Sequence, residues 1–387
     1  MVPRQGRECA CLAAWSAVGI ALWLALTVQA NYGSNWTGLF CTGSQILLPQ
    51  ELRQQTYIWQ NSDGYDGQFY RLIAHDPLLQ RGYARFVDDP RLRYRRILLP
   101  ALAAITGWGI YTDQAYVFWV LVFSAAGVYF TARWFARHGR RPVWGLLFLV
   151  SPAAIASVDR MLLDGAALAL LVAALLYFEE GRYGRLYVVC FAATLVRETA
   201  WIVPAAALVH FAVGREWRKV GAFSTAFVPG VAWWLFIAAR TPPSAALPGV
   251  FGIPLVGYVE RAFSVRPATG DPITDTILRT ADVVAALAML TVVVLGMREV
   301  FRWPSVGGKA TVLGYVLVLA CATAPTYLFD FYGYARPGSS LVLAVSMAGV
   351  VRGVWVQLAP QFLLAGAVSL FLLWEVVGVI RYLGWLI

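Results

Sequence analysis

Long apolar stretches, separated by short clusters of charge, recur along almost the whole of this chain. Its 387 residues are 59% hydrophobic and only 13% charged, whereas an average soluble domain is about 25% charged. No segment between the apolar stretches is long enough to form a second hydrophobic core. The sequence therefore predicts an all-α polytopic membrane protein that forms a single integral membrane domain over residues 1–387.

The formal net charge of +10 comes from basic residues scattered among short loops. Nucleic-acid binding needs a basic face, so no nucleic-acid partner is predicted. Membrane proteins concentrate Arg and Lys in their cytoplasmic loops. Five clusters fit that rule, at 133–141, 182–185, 215–219, 298–309 and Arg352. Placing all five in the cytoplasm threads the chain through the bilayer about eleven times.

The first span is predicted at residues 10–30 as a membrane anchor, although Val28-Gln29-Ala30 also fits the end of a cleaved signal peptide. The other spans are predicted at 114–136, 142–157, 163–178, 184–196, 199–213, 218–239, 277–297, 310–329, 337–351 and 360–380. A full crossing by Ile97 to Tyr111 would break this topology, so that segment is predicted to be a re-entrant half-helix. Residues 31–96 then form a long first extracytoplasmic loop, loop 1.

Four consecutive predicted spans, between residues 142 and 213, are short. Their 13 to 16 residues reach about 20 to 24 Å, less than a hydrocarbon core of about 30 Å. They form two hairpins whose outer tips carry Asp159, Arg160 and Asp164, and then Arg197 and Glu198. A charge exposed to lipid at that depth costs at least about 2.5–3.5 kcal/mol. The tips are therefore predicted to line a water-accessible cavity that faces loop 1.

A third turn, Asp330-Phe-Tyr-Gly-Tyr-Ala-Arg336, is predicted to arrive on the same side of the membrane. The alternative explanation for all of these charges is structural pairing. Arg160 would then pair near Asp159, while Arg197 would pair with Glu198 and Asp330 with Arg336.

The five cysteines and three histidines predict neither a disulfide framework nor a metal site. Only Cys41 is expected to face an oxidising compartment, no Cys-x-x-Cys pair occurs, and the histidines are far apart in the sequence. Gly307-Gly308-Lys309 lacks the first glycine of a phosphate-binding loop. No cofactor is predicted, and a nucleotide-driven mechanism is not expected.

Loop 1 interleaves Tyr, Phe, Asp and Arg beside the membrane, as a binding surface does. It contains Asp63-Gly-Tyr-Asp66-Gly-Gln-Phe-Tyr70-Arg-Leu-Ile-Ala-His-Asp76 and closes with Asp88-Asp-Pro-Arg-Leu-Arg-Tyr-Arg-Arg-Ile-Leu-Leu-Pro100. These motifs resemble the GT-C superfamily of membrane glycosyltransferases, especially GPI mannosyltransferase II and bacterial membrane proteins of cell-surface glycopolymer formation. The segment from Tyr65 to Tyr70 is similar to the catalytic loop-1 motif of that superfamily.

The resemblance covers about the first 215 residues. It implies a GT-C-like module over 1–215 with loop 31–96, and a more variable transmembrane half over 216–387. The Lys-Pro-Pro-Leu motif of aminoarabinose transferases is not present in the sequence. The resemblance implies a glycosyltransferase of the bacterial inner membrane with an extracytoplasmic active face. Its partners would be a polyprenyl-phosphate sugar donor, a glycan or lipid acceptor, and membrane lipid.

The chemistry of such a transfer suggests roles for individual residues. Polyprenyl phosphate is a good leaving group, so one carboxylate that removes the proton of the acceptor hydroxyl suffices, and Arg can hold the departing phosphate. Asp66 is predicted to be the general base of an inverting transfer, with Asp63 as the second candidate. The donor phosphate is assigned to Arg160, Arg197 and Arg336. Substrate-orienting roles are assigned to Asp164, Glu198, Tyr70, Gln68 and Asp76.

Two other functions also fit the sequence. A transporter or flippase of a lipid-linked or anionic substrate also places Arg and Asp at membrane depth. However, no inverted repeat is evident, and transport does not explain a 66-residue loop with clustered Asp. A non-catalytic scaffold in a glycan-assembly complex is the third possibility.

The outer segment 240–276 is rich in Pro and Gly. Its middle, 249–263, is predicted to lie along the membrane interface as an amphipathic piece. There it would cover the cavity mouth, whereas an ordinary connecting loop is the alternative.

Overall fold

The computed structural model describes residues 2–244, 251–263, 270–322, 328 and 330–386. The structure is 78% helical. Among the described residues, regular β-structure is confined to two parallel strands of loop 1, β1 (Thr42–Gly43) and β2 (Ile58–Trp59). The chain is thus an all-α protein, as predicted.

The first part of the chain forms ten helices among the described residues. They are α1 (Val2–Asn31), α2 (Gln50–Arg53), α3 (Asp66–His75), α4 (Pro90–Arg93), α5 (Leu98–Gly107), α6 (Thr112–Arg137), α7 (Pro152–Arg160), α8 (Asp164–Glu180), α9 (Tyr183–Val196) and α10 (Ile202–Val213). The described residues that follow form α11 (Trp217–Ser224), α12 (Val228–Arg240), α13 (Val256–Phe263), α14 (Pro272–Arg302), α15 (Val306–Cys321), α16 (Phe331–Arg352), α17 (Ala359–Ser369) and α18 (Leu373–Leu386). Short 3-10 turns lie at Trp36–Phe40, Tyr83–Phe86, Pro142–Phe148, Glu198–Trp201, Thr225–Phe227, Trp355–Leu358 and Leu370–Leu372.

Several described helices are long and apolar enough to cross a membrane. Five segments qualify: Gln5–Asn31, Thr112–Arg137, Trp217–Arg240, Pro272–Arg302 and Trp355–Gly384. A sixth is counted if Pro142–Phe148 and Pro152–Arg160 form one span, bent by 62°. Shorter apolar helices lie at Leu98–Gly107, Tyr183–Val196, Glu198–Val213 and Val306–Cys321. Large apolar side chains such as Trp15 and Phe118 are exposed, as on a lipid-facing surface. These features support a membrane-embedded protein.

The predicted spans coincide with helices, and the differences occur where a helix starts or breaks. The span predicted at 142–157 is bent because Pro152, which cannot donate a backbone hydrogen bond, begins a new helix. The predicted turn from Asp330 to Arg336 is wrong. Asp330 caps α16 by accepting a hydrogen bond from the amide of Gly333 at 2.6 Å, so the turn is the start of a helix. The end of the span predicted at 310–329 lies largely outside the described residues.

The segment predicted to be a re-entrant half-helix contains α5. This helix has 10 residues and is therefore about 15 Å long, half of a hydrocarbon core. It ends at Trp108, which has a positive φ of 48°. The length of α5 suits a half-helix, and its orientation in a bilayer stays a prediction.

Helix α8 lies at the centre of the fold, and its residues from Asp164 to Phe178 are buried. A helix that is apolar on all sides packs against protein on all sides. Its 17 residues extend about 26 Å and separate two layers of ion pairs. One layer contains Asp164. The other contains Glu180, which pairs with Arg133 at 2.7 Å and Arg182 at 2.9 Å.

Loop 1 is fixed to the start of α6 by a buried ion cluster. The two carboxylate oxygens of Asp113 accept hydrogen bonds of 2.9 and 2.8 Å from Arg71, and Oδ1 lies 2.9 Å from Nε2 of His75. Arg71 and His75 lie one turn apart on α3, so both contacts come from one face of that helix. The cluster thereby sets the direction of α3 and the position of Asp66 at its first residue.

Candidate functional site

The candidate site is centred on Asp66. Its Oδ1 lies 2.9 Å from Nη2 of Arg93, and its Oδ2 lies 3.3 Å from Nη1 of Arg336. Each carboxylate oxygen therefore has its own guanidinium partner, one from loop 1 and one from α16. The side chain remains 20% exposed, which leaves the carboxylate accessible to a ligand. Its place in the first turn of α3 adds a favourable interaction with the helix dipole.

The two arginines set the protonation state of Asp66. Burial alone would raise the pKa of this carboxyl, but Arg93 and Arg336 outweigh burial and hold the pKa well below its usual range. Burial lowers the pKa of Arg93, and the neighbouring Asp66 carboxylate raises it well above the ordinary value. Asp66 is thus ionised at neutral pH and able to accept a proton. Its affinity for that proton is low while both cations contact it.

Asp164, the first residue of α8, connects the cluster to the first predicted hairpin tip. Its Oδ2 lies 3.6 Å from the same Nη1 of Arg336 that contacts Asp66, and its Oδ1 pairs with Nη1 of Arg197. Arg336 therefore bridges two carboxylates. Its Cζ also lies 5.0 Å from the ring centroid of Tyr65, a cation–π contact that restricts the side chain.

Arg96 joins loop 1 to the second hairpin tip. Its Nε donates a 3.0 Å hydrogen bond to Oε2 of Glu198, and its Nη1 donates a 3.0 Å hydrogen bond to the hydroxyl of Tyr70. At the rim, Asp88 lies 2.8 Å from Nη2 of Arg93. Four arginines thus meet four carboxylates, and the cluster is formally neutral. Each guanidinium carries five N–H groups, so donors remain for an anionic ligand.

The predicted convergence of the tips on loop 1 is seen in these contacts. The predicted site residues that the cluster brings together are Asp66, Tyr70, Asp164, Arg197, Glu198 and Arg336. The alternative of pairing within each tip fails for two of three tips. Arg197 pairs with Asp164 instead of Glu198, and Arg336 pairs with Asp66 and Asp164 instead of Asp330.

Arg160 lies in a second ion cluster, so the ion pairs do not join it to Arg197 and Arg336, and its assignment to the donor phosphate stays a prediction. Its Nε lies 3.0 Å from Oδ2 of Asp159, the within-tip pair that the alternative predicted, and its Nη1 lies 3.0 Å from Oε1 of Glu375. Its Cζ lies 4.7 Å from the ring centroid of Trp59. Tyr32 donates a 3.3 Å hydrogen bond to the same Oε1 of Glu375. The cluster joins α7 and loop 1 to α18.

Gln68 and Asp76, predicted to orient substrate, instead support the backbone of loop 1. Both side chains are 2% exposed. Gln68 accepts from the amide of Gly43 at 3.1 Å and donates to the carbonyl of Asp63 at 3.0 Å. Asp76 accepts from the amides of residues 80, 81 and 83. Asp63 itself is exposed, and its carboxylate makes no ion pair with a described residue.

Arg93 and Arg96 were not predicted as site residues, although they contact Asp66, Glu198 and Tyr70. The available signal was the basic run that follows Asp88-Asp89-Pro90. Asp89 caps the short helix α4 by accepting from the amide of Leu92 at 3.0 Å, and this cap directs the run toward the site. Among the described residues, no three His, Cys, Asp or Glu side chains are grouped to hold a metal ion.

Comparison of the chain with protein-family models, with curated proteins and with solved structures finds no match.

Proposed function

We propose that this chain is an inverting, GT-C-type membrane glycosyltransferase that uses a polyprenyl-phosphate sugar as donor and a cell-surface glycan or lipid as acceptor. The observation that carries the proposal is the Asp66 carboxylate held between Arg93 and Arg336, which belong to elements far apart in the sequence. A base beside cations suits attack of a hydroxyl on a sugar phosphate, because a proton is removed while negative charge develops on the phosphate.

In the proposed step, the acceptor hydroxyl oxygen attacks the anomeric carbon of the donor sugar. The bond between that carbon and the phosphate oxygen breaks, and the polyprenyl phosphate leaves with the electron pair. The hydroxyl proton passes to Asp66. Guanidinium N–H groups that turn toward the phosphate no longer stabilise the carboxylate, so the pKa of Asp66 rises as the phosphate binds. The low pKa of Asp66 beside its two arginines is thereby compatible with a role as base.

The other residues of the cluster are assigned roles by their contacts. Arg336 and Arg197 would hold the leaving phosphate, and Asp164 positions both because it contacts each of them. Arg96 positions Glu198 and Tyr70 on the acceptor side. Because Arg336 belongs to the half of the chain after residue 215, the proposed site uses both halves.

We further propose that loop 1 faces the extracytoplasmic side of a bacterial inner membrane and that the chain crosses about eleven times. The two ion-pair layers at opposite ends of α8 support this arrangement. The candidate site occupies one layer, and the other contains Arg133 and Arg182 from the basic clusters assigned to the cytoplasm.

The experiment that tests the proposal is sugar transfer by the purified protein in liposomes that contain a polyprenyl-phosphate-linked sugar. The proposal is supported if the wild type transfers sugar and the Asp66→Asn protein does not, while this variant still binds the donor. Movement of the lipid donor across the bilayer without any transfer would instead support a transporter.

A further inference from the structure

A groove next to the ion cluster opens between α9 and α12. It has a volume of about 210 Å³, and its lining includes Arg95, Arg197, Glu198, Trp201 and Trp234. Gly230 and Thr194 also line the groove, at the point where α12 approaches α9. A Cβ added at Gly230 would lie 2.6 Å from Cβ of Thr194. The groove therefore depends on the absence of a side chain at this crossing.

Two arginines that line the groove each have a guanidinium donor without a partner among the described residues. Nε of Arg95 and Nε of Arg197 are both buried, and neither has a hydrogen-bond partner in the part of the chain that the structure describes. A buried unpaired donor costs about 1–3 kcal/mol, so an acceptor bound here would recover that cost. Arg95 makes no ion pair with a described carboxylate, and its Cζ instead lies 4.7 Å from the ring centroid of Trp234.

The groove continues into an apolar surface. Exposed side chains of α12 follow one another at helical spacing on a single face, which we call the α12 stripe: Val228, Val231, Trp234 and Leu235. In the most apolar part of the segment Trp217–Arg240, only 22% of the residues are buried, so most of this surface is free to contact lipid. A ligand that fits both parts has an anionic head and an apolar chain.

We propose that this groove binds the phosphate of a single-chain lipid, with phosphate oxygens on the guanidinium groups of Arg95 and Arg197 and the chain along the α12 stripe. The inference rests on the proposed function and identifies the route by which the donor enters from the bilayer. Arg197 belongs to the groove and also pairs with Asp164, which contacts Arg336. A phosphate in the groove therefore lies next to the residues that lead to Asp66.

The test measures binding of farnesyl phosphate to the full chain in phosphatidylcholine nanodiscs by isothermal titration calorimetry. Arg95→Gln removes the charge without breaking an ion pair to a described carboxylate. Binding is expected to weaken about ten-fold or more, the loss that corresponds to one charge-assisted hydrogen bond. Arg85→Gln is the matched control, because Arg85 is an exposed arginine of loop 1 that lies 4.8 Å from the ring centroid of Phe86, outside the groove.

The apolar part of the site is tested with Trp234→Ala. This change is expected to weaken farnesyl phosphate binding several-fold. Unchanged binding in Arg95→Gln overturns the proposal, as does equal competition by inorganic phosphate or by phosphatidylglycerol added to the nanodisc. Weaker binding in both variants, with Arg85→Gln unaffected, supports it. If farnesyl phosphate binds as expected but the wild type transfers no sugar, the glycosyltransferase proposal fails and the groove stands. If sugar is transferred but Arg95→Gln binds normally, the groove fails alone.

Discussion

The contact between α3 and α7 places the candidate base, and Gly67 is the residue that permits it. A Cβ added at Gly67 would lie 2.1 Å from the carbonyl oxygen of Arg160 and 3.1 Å from that of Phe40. Carbon–oxygen contacts are ordinarily about 3.3 Å or longer. In Gly67→Ala the two helices must therefore separate by about 1 Å, because a backbone carbonyl cannot rotate away as a flexible side chain can.

This displacement should affect both stability and activity. Overpacking of a buried contact costs about 1–3 kcal/mol, which should lower the apparent Tm of the purified protein. A shift of about 1 Å between Asp66 on α3 and Arg336 on α16 is expected to lower the rate of sugar transfer about 10²-fold, although both residues are still present. Gly184→Ala is the control, since nothing lies within 4 Å of a Cβ added there. A Gly67→Ala protein with wild-type Tm and wild-type transfer would refute the close approach of α3 to α7.

Three further predictions concern the anchor of loop 1, the protonation of the base and the topology. Asp113→Ala leaves the 2% exposed Arg71 side chain without its carboxylate and should cost about 3–5 kcal/mol; thermal unfolding at the wild-type temperature would contradict this. The lowered pKa of Asp66 contributes stability above the ordinary carboxyl pKa of about 3.9, and this contribution is lost as pH falls through the lower folded value. Arg93→Gln removes one of the two cations, so the acidic limb of the transfer rate should move to higher pH, and superimposable pH profiles would argue against the pairing. In a cysteine-free background, a single cysteine at exposed position 63 should react with an impermeant maleimide outside intact cells, and one at exposed position 141 should not. Labelling of position 141 would contradict the proposed membrane topology.

The helical membrane class and the convergence of charges could be predicted from sequence because both follow from local features. Apolar length and charge spacing identify the helices. Short spans place Asp164 and Arg197 at tips that must avoid lipid, and the structure brings these two side chains together. The start of α16 was missed because Asp330 was interpreted as a turn residue, whereas aspartate is also a preferred helix N-cap.

The remaining features depend on contacts between residues far apart in the chain. Arg160 pairs with Glu375, and no local pattern links α7 to α18. Gln68 and Asp76 are polar residues in a loop beside the candidate base, so sequence alone favoured a substrate role. Their hydrogen bonds to backbone groups of loop 1 are visible only once the loop is folded.

The central claim is that Asp66 removes the proton of the acceptor hydroxyl during sugar transfer. The most direct test compares transfer from a polyprenyl-phosphate-linked sugar by wild-type and Asp66→Asn protein in liposomes. The asparagine keeps the shape of the side chain and removes the base, so transfer should fall by about 10² or more while the donor still binds. Asp63→Asn, at an exposed position outside the ion cluster, should retain wild-type transfer. Full activity of Asp66→Asn would contradict the account and make Asp63 the candidate base.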